Sequence, residues 1–174
     1  MAPNTLTLLG FLFNIIVAWV LAQGHLFLGG FLVIICSAFD LLDGALARVT
    51  GRVTAFGAIL DSTLDRFSEA ALLFGLSVFY LVQYRIPEVL LIYVVLVGSL
   101  AVSYVRARAE GLGLECEVGL LARPERVLIL ALGLIFNQVL IALWILAVLT
   151  HVTVGQRLLH LWRQTRKGKP SGQG

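Results

Sequence analysis

Hydrophobic positions run along the chain in six long segments that are separated by short polar connections. The segments cover residues 5–22, 26–47, 57–80, 87–106, 124–137 and 138–156. As helices of roughly 20 residues, most of them are long enough to cross the hydrocarbon core of a bilayer. Pro3, Pro87 and Pro124 fall at or just before the start of three segments, where a helix tolerates proline. The pattern predicts an all-α bundle of six transmembrane helices, with its least defined boundary at Asn137 and Gln138.

The composition supports a membrane protein. The chain is 59% hydrophobic and 13% charged, whereas a soluble domain has about 25% charged residues. A surface with so few charges could not stay hydrated, which argues against a soluble domain. We expect one membrane domain over residues 1–160, followed by a basic, disordered cytoplasmic tail over 161–174. No nucleic-acid partner is expected.

Lysine and arginine residues fall on alternate connections, which predicts the orientation of the bundle. The opposite connections contribute only Arg85. Basic residues are enriched on the cytoplasmic side of membrane proteins. We therefore expect both termini in the cytoplasm and a multi-pass protein of the cell inner membrane. The residues on the basic side are Arg48, Arg52, Arg106, Arg108, Arg123, Arg126, Arg157, Arg163, Arg166, Lys167 and Lys169.

All four aspartates of the chain lie within 26 residues, at positions 40, 43, 61 and 65. Asp40 and Asp43 are three residues apart, and Asp61 and Asp65 are four apart, so each pair shares one helix face. The short connection between the second and third segments predicts that these helices are antiparallel neighbours. The four carboxylates would then converge near the cytoplasmic ends of both helices.

Four converging carboxylates would repel one another unless cations neutralise them. Oxygen ligands favour Mg²⁺, Mn²⁺ or Ca²⁺, and the lack of histidine or cysteine in the group argues against zinc. Small residues on the same faces, Gly44, Ala47 and Gly57, would leave room for a ligand, although they also suit close helix packing. Two functions stay open: an ion or proton pathway, or a two-metal site for phosphoryl transfer. The position of the acids near one membrane face, beside arginines, favours phosphoryl transfer.

The aspartates are part of a longer pattern: Asp40-x-x-Asp43-Gly44-x-x-Ala47-Arg48, eight residues, Gly57, three residues, Asp61, three residues, Asp65. This pattern resembles the signature of the CDP-alcohol phosphotransferases. These membrane enzymes transfer a phospho-alcohol from a CDP-linked donor to a hydroxyl and release CMP. The resemblance covers nearly the whole chain and implies a lipid-synthesis transferase that acts at the cytoplasmic membrane face.

The resemblance also implies roles for individual residues. Asp40, Asp43, Asp61 and Asp65 would hold two Mg²⁺ or Mn²⁺ ions on the diphosphate of CDP-diacylglycerol, with Asp65 also the general base. The residues expected to bind the donor are Asn4, Thr7, Asp40, Asp43, Gly44, Ala47, Arg48, Gly57 and Asp61. The family is usually dimeric, so a homodimer is expected.

The second half of the chain resembles the bacterial phosphatidylinositol-phosphate synthase branch of the family, which implies inositol 1-phosphate as the acceptor. Ser103, Arg106, Arg123 and Arg157 would then bind the acceptor's phosphate, although that branch generally has lysine at the position of Arg106. Phosphatidylglycerophosphate synthase, which uses glycerol 3-phosphate, is the alternative. Its motif typically reads Leu-Asp-Pro where this chain has Leu-Asp-Ser at 60–62, which favours the inositol branch. A cation or proton transporter is a more remote alternative.

Overall fold

The computed structural model describes residues 3–49 and 54–167, without the side chains of residues 3, 4, 6, 41–49 and 167. These residues form six helices and no strand. The predicted all-α fold with six helices is confirmed. The first five helices agree with their predicted segments to within four residues at each end. The helices are α1 Pro3–Ala22, α2 Leu26–Val49, α3 Ala55–Val82, α4 Ile86–Glu110, α5 Arg123–Ile135 and α6 Val139–Lys167.

The starts of three helices follow local sequence signals. Thr54 caps α3, since its side-chain oxygen accepts a hydrogen bond from the backbone N–H of Gly57 at 3.0 Å. A cap of this kind satisfies one of the free N–H groups in the first helical turn. Pro87 and Pro124 lie in the first turns of α4 and α5, where no backbone donor is required. Gly57 thereby lies in the first turn of α3, one turn before Asp61.

The helices form a closed ring in which each one makes its main packing contacts with two others. Around the ring the order is α1, α2, α5, α6, α4 and α3, with α3 packing back against α1. The predicted direct pairing of α2 with α3 is wrong for the described residues, because α1 lies between them. A short connection brings the ends of two helices near each other, but it does not require their sides to touch.

Two glycines let α1 fit between its neighbours. A Cβ atom at Gly75 of α3 would overlap the backbone carbonyl of Ala18 in α1. A Cβ atom at Gly10 of α1 would lie 3.0 Å from Oδ1 of Asp40 in α2. Small residues are the usual means by which membrane helices approach closely. The close packing places α1 directly beside an aspartate of the predicted site.

The interior is apolar, and much of the outer surface is apolar as well. The largest fully buried side chains include Leu21, Leu73, Ile92, Leu134 and Leu143, which come from five helices. Large side chains such as Phe74 and Trp144 are mostly exposed. An extensive exposed apolar surface indicates an interaction surface such as a membrane.

Two of the described helices, Ile86–Glu110 and Val139–Arg166, are long and apolar enough to cross a membrane by length and composition. Shorter apolar helices cover Thr7–Ala22 and Leu26–Asp40. The number of spans and the position of the termini stay predictions. Helix α6 extends to Lys167, so residues 161–167 of the predicted disordered tail are helical, and 168–174 lie outside the described residues.

Substitution of Gly75 by alanine is expected to destabilise the bundle. The added methyl group must displace the backbone of α1, and overpacking of this kind costs roughly 1–3 kcal/mol. Thermal unfolding of the purified protein in detergent would show a lower Tm. Gly155→Ala is the control, because nothing lies within 4 Å of a Cβ at that position. Equal Tm values for the two variants would contradict the close contact between α1 and α3.

Candidate active site

Asp40 of α2 and Asp65 of α3 are joined by one guanidinium group, that of Arg123 at the start of α5. Nη2 of Arg123 lies 3.1 Å from Oδ2 of Asp40, and Nη1 lies 2.8 Å from Oδ2 of Asp65. All three side chains are partly buried, with 23–29% of their surface exposed. The sequence prediction that carboxylates from the second and third helices converge is met by this pair. It was not foreseen that an arginine of α5 would bridge them.

Asp61 lies one turn before Asp65 on α3 and is exposed. Thr7 lies on α1, one turn before Gly10, and is partly buried. The other residues predicted to bind the donor or the metal have side chains that lie outside the described residues, although their backbone belongs to α1 or α2. They are Asn4, Asp43, Gly44, Ala47 and Arg48.

Asp40, Asp61 and Asp65 are here called the aspartate cluster. The carboxylate oxygens of these three residues suit a divalent cation. Carboxylate oxygens are the ligands that Mg²⁺ and Mn²⁺ prefer, and two of the three carboxylates already share one cationic partner. In the part of the chain that the structure describes, no three acidic, histidine or cysteine side chains are close enough together to hold an ion. A complete ligand set therefore requires a further group, and Asp43 lies outside that part.

A cavity of about 280 Å³ opens beside Asp65, and five of the thirteen residues that line it are arginines. We call it the arginine cavity. Its charged lining residues come from α3, α4, α5 and α6, so it forms only when the ring of helices closes. They are Asp65, Arg66, Glu69, Arg106, Glu110, Arg123, Arg126 and Arg157.

The four residues predicted to bind an acceptor phosphate, Ser103, Arg106, Arg123 and Arg157, all line the arginine cavity. Arg106 is half-exposed and pairs with Glu110, with Nε 2.7 Å from Oε1. The structure brings these residues together from three helices.

Arg157 is bound to the backbone of two other parts of the chain. Its side chain is buried, and it donates from Nη1 to the carbonyl of Val102 at 2.6 Å and from Nε to the carbonyl of Val118 at 2.9 Å. Gly119, with φ 134°, packs closely against Arg157 and Thr153. Arg157 thus joins α4 and the connection that follows it to α6, and it also lines the arginine cavity.

Arg126 and Glu69 form a buried ion pair between α5 and α3. Nε and Nη2 of Arg126 each lie 2.8 Å from an oxygen of Glu69, and the two side chains are 2% and 11% exposed. Two parallel bonds of this type fix the relative orientation of both groups. Because Arg126 lies one turn after Arg123, the pair also fixes the first turn of α5 against α3.

Four charged residues of the cavity were not predicted as site residues: Arg66, Glu69, Glu110 and Arg126. Spacing gives a partial signal, since Arg66 and Glu69 are on α3 close after Asp65. Glu110 follows Arg106 by four residues, and Arg126 follows Arg123 by three. The long-range partner of Arg126 has no such signal.

The net charge of the cavity suits an anion. Its lining has five arginines and three carboxylates, which gives a formal charge of plus two. A phosphate monoester has a charge of about −1.5 to −2 at neutral pH. The match supports a phosphorylated ligand, and arginine suits phosphate because it offers paired donors in a fixed plane.

Comparison with known proteins agrees with this site. The family model described as CDP-alcohol phosphatidyltransferase matches residues 1–155. The chain belongs to this family. It is therefore a transferase of phospholipid biosynthesis, and the matched range includes the whole pattern from Asp40 to Asp65.

Relatives within the CDP-alcohol phosphatidyltransferase family have related names. The archaetidylinositol phosphate synthase of Pyrococcus horikoshii is 36% identical over 167 residues, which are 95% of this chain and 86% of the relative. The phosphatidylinositol phosphate synthase of Mycobacteroides abscessus is 39% identical over 165 residues, which are 90% of this chain and 75% of that protein.

Solved structures of family members show the same fold. A crystal structure of Mycobacterium tuberculosis phosphatidylinositol phosphate synthase with CDP-DAG bound matches with a TM-score of 0.85 and 35% identity, over 93% of this chain and 87% of that chain. A second structure of that enzyme, in complex with manganese and citrate, also has a TM-score of 0.85, with 35% identity over 93% of this chain and 83% of that chain.

Proposed function

We propose that this protein transfers the phosphatidyl group of CDP-diacylglycerol to a hydroxyl of inositol 1-phosphate, producing phosphatidylinositol phosphate and CMP. The position of Arg123 is the observation that best supports this proposal. This residue contacts the aspartate cluster and lines the arginine cavity, so the two predicted substrate sites share a wall. The names of the relatives support inositol phosphate as acceptor over glycerol 3-phosphate.

The reaction requires one bond to form and one to break. An acceptor hydroxyl oxygen attacks the phosphorus that bears the diacylglycerol, and the bond from that phosphorus to the oxygen of CMP breaks. The hydroxyl proton passes to the carboxylate of Asp65, which lines the arginine cavity. The arginines of the cavity would bind the acceptor's phosphate and thereby orient the attacking hydroxyl, and such positioning can supply much of the rate enhancement.

Asp40, Asp43, Asp61 and Asp65 would hold the divalent cations, which we propose to be two Mg²⁺ or Mn²⁺ ions. Bound cations neutralise the donor diphosphate and stabilise the leaving CMP. Gly57, in the first turn of α3, would leave space for the donor, together with Gly44 and Ala47 of α2. Asn4, Thr7 and Arg48 are the remaining donor contacts that we propose.

We further propose that the protein is a multi-pass inner-membrane homodimer with six spans. Both termini and the active site would face the cytoplasm, with a membrane domain over 1–160 and a basic tail over 161–174. Basic residues on one set of connections support this orientation. The homodimer rests on the resemblance to the family alone.

CMP release from CDP-diacylglycerol tests the proposal against the transporter alternative. With inositol 1-phosphate present, purified protein should release CMP when Mg²⁺ or Mn²⁺ is added and should stop when EDTA removes it. Protein in sealed vesicles should show no divalent-cation flux under the same conditions. Cation flux without CMP release from any acceptor would overturn the proposed transferase reaction.

A further inference from the structure

We propose that Arg123 occupies two positions during the reaction. Without cations it bridges Asp40 and Asp65, and once cations bind it is displaced into the arginine cavity, where it binds the acceptor's phosphate. Cation binding at the aspartate cluster would thus complete the binding site for the acceptor's phosphate. The identity of the acceptor in this inference rests on the proposed function. The competition between Arg123 and cations does not.

The first observation is that Arg123 occupies the position of a cation between carboxylates of two different helices. Its two terminal nitrogens lie 3.1 Å and 2.8 Å from Asp40 and Asp65. Those two oxygens are thereby engaged by a group that a divalent ion must replace. Ion pairs between partly exposed groups are weak, so a divalent cation that binds several carboxylates should displace the guanidinium.

The second observation is an unused donor. Nε of Arg123 is buried and has no hydrogen-bond partner among the described residues. A buried donor without a partner is unfavourable, so the bridging position does not satisfy the whole guanidinium group. An oxyanion in the arginine cavity, which Arg123 also lines, would accept hydrogen bonds that the aspartates leave unmade.

The third observation is that the backbone beneath Arg123 is fixed. Arg126, one turn later in α5, is buried and paired twice with Glu69. The exchange therefore requires rotation of the Arg123 side chain and no movement of α5. The long, flexible arginine side chain makes such a change feasible while the helices stay in place.

The test is Mn²⁺ affinity, measured by electron paramagnetic resonance on purified protein without substrates. Arg123→Ala removes the competitor, so it should bind Mn²⁺ about tenfold more tightly than the unchanged protein. Arg106→Gln is the matched control, because it removes one positive charge from the same cavity, and the described ion pair of Arg106 is with Glu110 rather than with an aspartate. It should change the affinity much less.

Unchanged or weaker Mn²⁺ binding by Arg123→Ala would overturn the proposal, as would an equal gain in Arg106→Gln. If the alanine variant does not fold, Arg123→Gln keeps most of the side-chain volume and is judged by the same outcomes. These results do not depend on CMP release. A failed transferase assay with a positive Mn²⁺ result would therefore reject the proposed function and leave the competition standing.

A second measurement tests the coupling between the two sites. Inorganic sulfate serves as the oxyanion, and its binding is measured with and without Mn²⁺. In the unchanged protein Mn²⁺ should increase sulfate affinity about fivefold, since it releases Arg123 to the cavity. In Arg123→Ala the increase should disappear, whereas Arg106→Gln should retain it. An equal increase in all three proteins would show that Mn²⁺ binds the anion without help from Arg123.

Discussion

Asp65→Asn is expected to reduce turnover about a thousandfold, because loss of a general base typically costs 10²–10⁴ in rate. Asparagine preserves the shape of the side chain but cannot accept the proton of the attacking hydroxyl. The donor should still bind, since Asp40 and Asp61 remain available to hold cations. Initial rates of CMP release and binding of CDP-diacylglycerol, measured on the same preparation, check this expectation.

Asp61→Asn is the comparison for this prediction. Asp61 is exposed on α3 and is proposed to hold cations without acting as the base. Its substitution should weaken donor binding together with turnover. Loss of donor binding to the same extent in Asp65→Asn would show that Asp65 acts chiefly as a metal ligand, and the proposed base would have to be sought elsewhere.

Removal of one partner from the Glu69–Arg126 pair is expected to destabilise the protein by about 3–5 kcal/mol, the usual effect of leaving one buried charge alone. Both side chains are almost fully buried, so water cannot replace the missing partner. Arg126→Met and Glu69→Met should each lower the Tm strongly. The double variant should recover much of the loss, because two apolar groups of similar volume leave no unpaired charge.

The Arg106–Glu110 pair provides a matched control within the same cavity. Its side chains are 49% and 55% exposed, and exposed pairs contribute about 1 kcal/mol or less. Glu110→Met should therefore change the Tm only slightly. Equal Tm shifts in Glu69→Met and Glu110→Met would show that burial does not increase the contribution of the Glu69–Arg126 pair to stability.

The helices could be predicted from the sequence because they depend on local features. Long apolar segments and the prolines near the starts of α4 and α5 are visible without a structure. The order of the helices around the ring could not be predicted in this way. It depends on contacts such as Gly75 against Ala18, between residues that are far apart in the chain and have no shared periodicity.

The candidate site was predictable to the extent that its chemistry lies in a local motif. The spacing of Asp61 and Asp65 fixes their shared helix face, and the arginines near α5 could be recognised as possible phosphate ligands. The bridge from Arg123 to Asp40 and Asp65 depends on how three helices meet. The ion pair between Arg126 and Glu69 likewise joins α5 to α3, which are not neighbours in the ring, so neither pairing follows from spacing alone.

Inositol 1-phosphate as the acceptor is tested by offering different acceptors to the purified protein with CDP-diacylglycerol and Mg²⁺. Inositol 1-phosphate, glycerol 3-phosphate, serine and free inositol would be compared by CMP release, and the lipid product identified by mass spectrometry. We expect kcat/KM to be highest for inositol 1-phosphate. The lipid product should contain the phosphatidyl phosphate and the phosphate of the acceptor, and unphosphorylated acceptors should give little CMP release. Higher kcat/KM for glycerol 3-phosphate, or equal rates with free inositol, would rule out inositol 1-phosphate as the preferred acceptor.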